Sequence, residues 1–210
     1  HTMSHIHFIG GEKGGVGKSL VARTLAQHLI DHNLPFIGFD TDRSHGALLR
    51  FYGDFAAPMP LDAHDSLDRV IEAAAADPER RVLVDMAAQT QASLTQWLQD
   101  AGVPEVAAEI GVKLSYWHVM DSGRDSVDLL ARWLDGPGAA LPMVLVLNEL
   151  RGERFELLES SGLLARVQAQ DRPKPQAPAD APGLQTDDEV ALALERYEAE
   201  AREAVQRMQQ

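Results

Sequence analysis

The chain contains no cysteine at all. A disulfide scaffold, a thiolate metal site and a thiol nucleophile are therefore excluded. Long apolar runs are missing too: none approaches the roughly 20 residues needed to span a bilayer. The N-terminus lacks a basic region followed by an apolar stretch, so no signal peptide is expected. Positive charge is scarce, with 19 Lys and Arg against 32 Asp and Glu and a formal net charge of −13. The basic residues are not clustered, and a field of that sign repels nucleic acid and anionic lipid. Unaided DNA binding and a basic membrane anchor are both disfavoured. Aromatics make up 6% of the chain, and Trp97, Trp117 and Trp133 are scattered, which leaves no base-stacking platform. Among the 8 histidines only His28 and His32 stand i, i+4 apart in a helical pattern, a pair that by itself makes no zinc site, and none is read. The default expectation is a cytoplasmic soluble protein.

What is present fits one globular domain with a helical tail: 210 residues, 45% of them hydrophobic. His1 and Thr2, ahead of Met3, read as cloning remnants. Apolar runs of four to six residues alternate with longer amphipathic segments, the pattern of strands and crossover helices in a parallel sheet. Ile6 to Ile9 is the first strand and Phe36 to Phe39 the second. A polar, Pro-containing stretch (Pro58, Pro60) leads to a helix near Leu67 to Ala76. Val82 to Val84 runs into Asp85, and Leu114 to Met120 and Met143 to Leu147 are further strands. The expected fold class is α/β, a mostly parallel sheet flanked by helices on both faces, spanning residues 3–170. A Pro-rich loop over 171–186 follows, then a helix over 187–210 that is expected to pack on the same domain. Its apolar stripe (Val190, Leu194, Tyr197, Ala201, Ala204, Met208) is interspersed with glutamates, which argues against a membrane surface.

The informative segment is Gly10-Gly11-Glu12-Lys13-Gly14-Gly15-Val16-Gly17-Lys18-Ser19, between a strand and an amphipathic helix. That is the context of a phosphate-binding loop. Gly14, Gly15 and Gly17 let backbone N–H groups converge on an anion at a helix N-terminus. The nucleotide-binding residues expected are Gly14, Gly15, Val16, Gly17, Lys18, Ser19 and Leu20. Lys18 reaches the β- and γ-phosphates and the Ser19 hydroxyl ligates Mg²⁺. Glu12 stands where the general loop pattern has a glycine. Asp40 and Asp42, two residues apart at the end of the second strand, point the same way and can address a metal and a water together. Asp85, closing an apolar strand, fits the acid that holds Mg²⁺ through water.

Lys13 to Ser19 resembles the deviant P-loop of the ParA/MinD family of ATPases, in which a second lysine opens the loop. The resemblance extends over residues 3–150. It implies ATP and Mg²⁺ as cofactors, and a homodimer with ATP sandwiched between subunits. It also implies that Lys13 reaches across to the partner's phosphates, as an arginine finger does in trans. Asp42 matches the family's water-orienting residue, Asp40 the metal-side one, and Asn148 the asparagine that hydrogen-bonds the adenine edge. Ala177 to Asp180 loosely matches a base-side loop. After Asp85 the chain departs from the family: Met86-Ala87-Ala88-Gln89-Thr90-Gln91 lacks the usual proline and glycine. Slow ATP hydrolysis that positions or assembles a protein partner is the expected activity. The family's members serve partition, division-site or polar placement, conjugation and secretion. A non-catalytic nucleotide-gated adaptor and a small-molecule P-loop kinase are the alternatives.

Overall fold

The computed structural model describes residues 3–43, 46–61 and 64–170. Both the Pro-rich loop and the C-terminal helix expected from the sequence, with Ala177 to Asp180, lie outside the described residues. The described elements run β1 (His5–Gly10), α1 (Lys18–Asp31), β2 (Phe36–Asp40), α2 (Ala47–Phe51), β3 (Ala56–Pro58), α3 (His64–Ala75), β4 (Arg81–Asp85), α4 (Gln91–Asp100), α5 (Val103–Glu109), β5 (Lys113–Met120), α6 (Arg124–Asp135), β6 (Met143–Leu147), α7 (Glu156–Ser161) and α8 (Leu163–Gln170).

The strands form one six-stranded sheet in the order β3-β2-β4-β1-β5-β6, every pair parallel. Alternation along the strands divides the interior in two. Ile6, Phe8, Val82, Val84, Leu114 and Tyr116 join the large core that also takes in Leu67, Val70, Leu94, Trp97, Leu130 and Trp133. Side chains of opposite parity, Ile9, Leu83 and Val119, are buried outside that cluster, as are Ala22 and Ala26 of α1 and Leu48 of α2. Central strands buried on both faces read as continuous apolar runs for this reason. Trp133 stacks on Tyr116 at 3.6 Å between ring centroids. The indole N–H of Trp97 donates to Asp68 Oδ1 at 2.8 Å, which satisfies a polar atom on a fully buried side chain.

Two short elements were not legible in the sequence. The stretch read as a polar approach to a helix contains β3, which pairs with β2 through Gly38↔Ala56 to Asp40↔Pro58. A strand of three residues ending in proline is an edge strand, where the missing N–H costs no ladder bond. Its partner Gly38 is required by close approach, because a Cβ there would lie 2.9 Å from Leu48 Cδ2. The helix α2, five residues long, is too short to show periodicity.

Between β1 and β5 lies a histidine pair. His5 hydrogen-bonds Ser115 Oγ at 2.6 Å, and Trp117 Nε1 donates to His7 Nδ1 at 3.2 Å. Burial, with Arg81 and Lys113 adding, pushes His5 down to about 4, and burial pushes His7 well below its ordinary range. A depressed histidine stabilises the fold above its unfolded value near 6.5, and that contribution is lost as pH falls toward 4. His5→Gln should therefore flatten the pH dependence of the melting temperature between pH 6.5 and 4 relative to the unmodified chain. The difference in stability across that window should be up to about 3 kcal/mol. Paired thermal melts at each pH measure it.

Candidate nucleotide site

Parallel strands bring their carboxyl ends to one edge of the sheet, and helix N-termini gather there. Register decides which side chains meet. Asp40 at the end of β2 lies opposite Asp85 at the end of β4, and Ile9 of β1 opposite Asp85 on the other side. Met120 of β5 lies opposite Leu147 of β6, so Asp121 and Asn148 leave their strands together. The loop after β1 sits at the centre of this row.

Within that loop Gly15 and Gly17 take φ of +74° and +101°, left-handed conformations that disfavour a Cβ. At Gly17 a Cβ would also collide with the Asn148 amide nitrogen. Gly17 is the N-cap of α1, which has no side-chain cap and no acidic residue in its first turn. Its first N–H groups thus have no side-chain acceptor, the arrangement that receives an anion. Lys18 Nζ donates to Lys13 O at 2.7 Å across the loop, and burial pulls the ammonium below its ordinary range. Asp85, Glu12 and Asp42 oppose that shift.

Asp85 is 3% exposed, and burial pushes its carboxyl up to about 7. A hydrogen bond from Ser19 and the charge of Lys18 oppose the rise, while Asp40 and Asp42 add to it. Its Oδ2 is buried without a hydrogen-bond partner. A cation with oxygen preference would answer both features: an unused carboxylate oxygen beside a hydroxyl, with further acidic charge nearby. Among the described residues no three His, Cys, Asp or Glu side chains form a metal cage. Mg²⁺ is usually held by one or two carboxylates plus substrate phosphates rather than by an all-protein cage, so Ser19 and Asp85 fit that donor set.

Asp40 is engaged differently from the expectation of a metal-side ligand. Its Oδ1 accepts from Asp42 N and its Oδ2 from Leu49 N, each at 3.1 Å. The carboxylate shapes the turn that carries Asp42 and anchors α2. Asn148 is likewise busy: its Nδ2 donates to Val16 O at 2.8 Å and its Oδ1 accepts from Leu150 N at 3.0 Å. An amide has two N–H groups and two lone pairs, so one of each remains for a base edge. Leu20 lies on α1 with its side chain 52% exposed.

Three residues join the site that sequence reasoning did not place there. Thr41 Oγ1 donates to Asp85 O at 3.0 Å and accepts from Ala87 N at 2.7 Å, tying the segment after β2 to the segment after β4. Glu12 Oε2 accepts from Gln91 N, the first residue of α4, at 3.0 Å. The residue that displaces a loop glycine thereby serves the N-terminus of α4, where negative charge is favourable. Asp121 binds Lys13 through both carboxylate oxygens, at 3.2 and 3.1 Å. Only the Gly-x-x pattern pointed at this neighbourhood; none of these partners is near in sequence. The departure after Asp85 has a backbone counterpart: Gln89 stands at φ +64°, a conformation costing a non-glycine residue roughly 1 kcal/mol.

A carboxyl held near 7 favours the fold below its unfolded value of 3.8 and loses that contribution as pH rises through 7. Asp85→Asn should then raise the melting temperature of the nucleotide-free protein at pH 8 by a few degrees, about 1 kcal/mol for a domain of this size. The same variant should weaken Mg²⁺-nucleotide binding at least about tenfold. Thermal melts and calorimetric titration read the two effects separately.

No family model matches the chain. It is 26% identical over 166 residues to Protein MobD of Acidithiobacillus ferrooxidans, covering 78% of this chain and 72% of that protein. It is 28% identical over 137 residues to a Protein TraL of Escherichia coli, covering 61% of this chain and 55% of TraL, so the match spans about half of that relative. Among solved structures, the signal recognition particle receptor FtsY of Elizabethkingia anophelis superposes with a TM-score of 0.50 at 16% identity, over 81% of this chain and 56% of that one. That likeness concerns the fold. All-parallel sheet, flanking helices and Gly-rich loop at the first strand's end make this an α/β P-loop NTPase fold.

Proposed function

We propose that the chain is an ATP-dependent dimerisation switch of the ParA/MinD type, hydrolysing ATP slowly to position or assemble a protein partner. The observation that carries the reading is the pair of lysines on one loop with different surroundings. Lys18 lies buried inside its own loop, whereas Lys13 is 22% exposed at the loop's outer side and is paired with Asp121. One cation serves the phosphates held by its own chain, and the other, held at Asp121 in the nucleotide-free chain, is left over for the phosphates of a second chain. A monomeric small-molecule kinase has no use for the second.

In this reading the loop amides and Lys18 hold the triphosphate, and Ser19 and Asp85 hold Mg²⁺, which supplies charge neutralisation on the phosphates. Asp42, carried on the turn that Asp40 fixes, orients the attacking water. Asn148 offers its remaining N–H and lone pair to the base edge, and adenine is taken as the base on the resemblance to the ParA/MinD ATPases. No described helix is long and apolar enough to cross a membrane, and the net charge is −13, so the partner is taken to be a protein. The second reading is a non-catalytic nucleotide-gated adaptor, favoured by the glycine-free segment after Asp85 and the left-handed Gln89.

Lys18→Ala should abolish ATP binding in calorimetric titration. Lys13→Ala should keep ATP binding within about threefold and lose ATP-driven association and turnover, because only a trans contact is removed. Asp42→Ala should associate with ATP and fail to release phosphate. Sedimentation beside a phosphate-release assay distinguishes them. Turnover without association in the unmodified chain would refute the dimer switch, and association without turnover would select the adaptor.

A further inference from the structure

Asp121 is the least exposed acid at this edge, at 1%, yet two cations share it. It stands just past β5, where the chain turns into α6. Its Oδ1 accepts from Gly123 N at 3.0 Å, Ser126 Oγ at 2.6 Å and Lys13 Nζ at 3.2 Å, the first two holding it to its own turn. Its Oδ2 receives no directed hydrogen bond and faces Lys13 Nζ at 3.1 Å and Arg151 Nη1 at 3.4 Å. Arg151 comes from the turn after β6 and is half exposed; its Nη2 lies 3.4 Å from where a Cβ on Gly15 would stand. The guanidinium therefore sits against the phosphate loop, next to the one lysine that the loop does not use internally.

Such sharing has a consequence for release. Withdrawing a lone counter-ion from a buried carboxylate leaves that charge uncompensated, which is strongly unfavourable. Here Lys13 can leave without stranding Asp121, because Arg151 already lies against Oδ2, where its planar fork can close, while Gly123 N and Ser126 Oγ keep Oδ1 bonded. Before it leaves, Lys13 is held to its own chain and cannot face a second one.

We propose that Asp121 and Arg151 are positioning residues acting through Lys13: Asp121 holds the lysine at home in the nucleotide-free chain, and Arg151 replaces it as counter-ion when it is drawn to a phosphate. The first half stands on the ion-pair geometry alone. The second half rests on the dimer-switch reading and names the regulation of that site: the Asp121 pair sets the protein concentration at which the nucleotide-bound chain associates.

The conservative variant isolates the charge. In Asp121→Asn the side-chain oxygen still accepts from Gly123 N and Ser126 Oγ, so the turn is kept while the pull on Lys13 is lost. Acylation of Lys13 by a lysine-selective reagent, followed by mass spectrometry in the nucleotide-free full chain, reads the first half. The rate at Lys13 should rise roughly fivefold in Asp121→Asn, the factor expected for a pair worth about 1 kcal/mol, with the rate at Lys113 unchanged. An unchanged Lys13 rate overturns the proposal. Sedimentation with ATP and Mg²⁺ reads the second half. The association midpoint should move to roughly fivefold lower protein concentration in Asp121→Asn, and to higher concentration in Arg151→Gln, where release would strand the carboxylate. A role in packing alone would shift both variants the same way, and that result overturns the exchange. If the unmodified chain fails to associate with ATP, the dimer switch and the exchange fall together, while the labelling result still decides whether Asp121 holds Lys13.

Discussion

Lys18 and Asp85, 7% and 3% exposed, are a cation and an acid taken out of water at the carboxyl end of the same sheet. Neither is satisfied as a folded protein normally satisfies such groups. The ammonium donates to a loop carbonyl, and the carboxyl keeps one oxygen without a partner and rises to about 7. Burial shifts each toward its neutral form, and the charge of each partly offsets the shift of the other. Holding a cation and an acid out of water at one edge is a demand that the surrounding packing must meet.

That support comes from segments crossing between strands. Thr41 bridges the ends of β2 and β4, Asp40 ties its own turn to α2, Glu12 ties the phosphate loop to α4, and Asn148 ties β6 to Val16 inside the loop. Every one of these is a side chain bonding a backbone group, which fixes loop shape without consuming the donors aimed at a ligand. Loops on a rigid scaffold are where function is usually carried. The hydrogen bonds of Thr41 tie the segments after β2 and β4 to each other.

The overall charge of −13 and the local collection of Lys13, Lys18 and Arg151 are not in conflict. A nucleotide needs concentrated positive charge only within a few ångströms, inside a Debye length of about 8 Å, while the remaining surface repels competing polyanions. Asp121 carries part of this arrangement. It lowers the net positive charge at the loop mouth, and its own carboxyl stays below the ordinary range because hydrogen bonds from Ser126, Lys13 and Gly123 outweigh the upward push of burial.

Taken alone, the sequence determined the sheet, five of its strands and the Gly-rich loop after β1, since these rest on local quantities. Doubly buried strands must be apolar throughout, and a left-handed turn such as Gly15 or Gly17 must be glycine. The placing of Lys18, Ser19 and Asp85 at one sheet edge was legible for the same reason: each sits at a strand or helix end that the pattern itself locates. The edge strand β3 was not legible, because three residues carry no period and Pro58 reads as loop until β2 lies beside it. Only the tertiary structure decided the partners of Lys13, Glu12, Thr41 and Asn148. Lys13 and Asp121 are 108 residues apart, and Asn148 and Val16 are 132 apart. Contacts of that range depend on strand order and register, and those follow from how whole elements pack rather than from any residue's own preference.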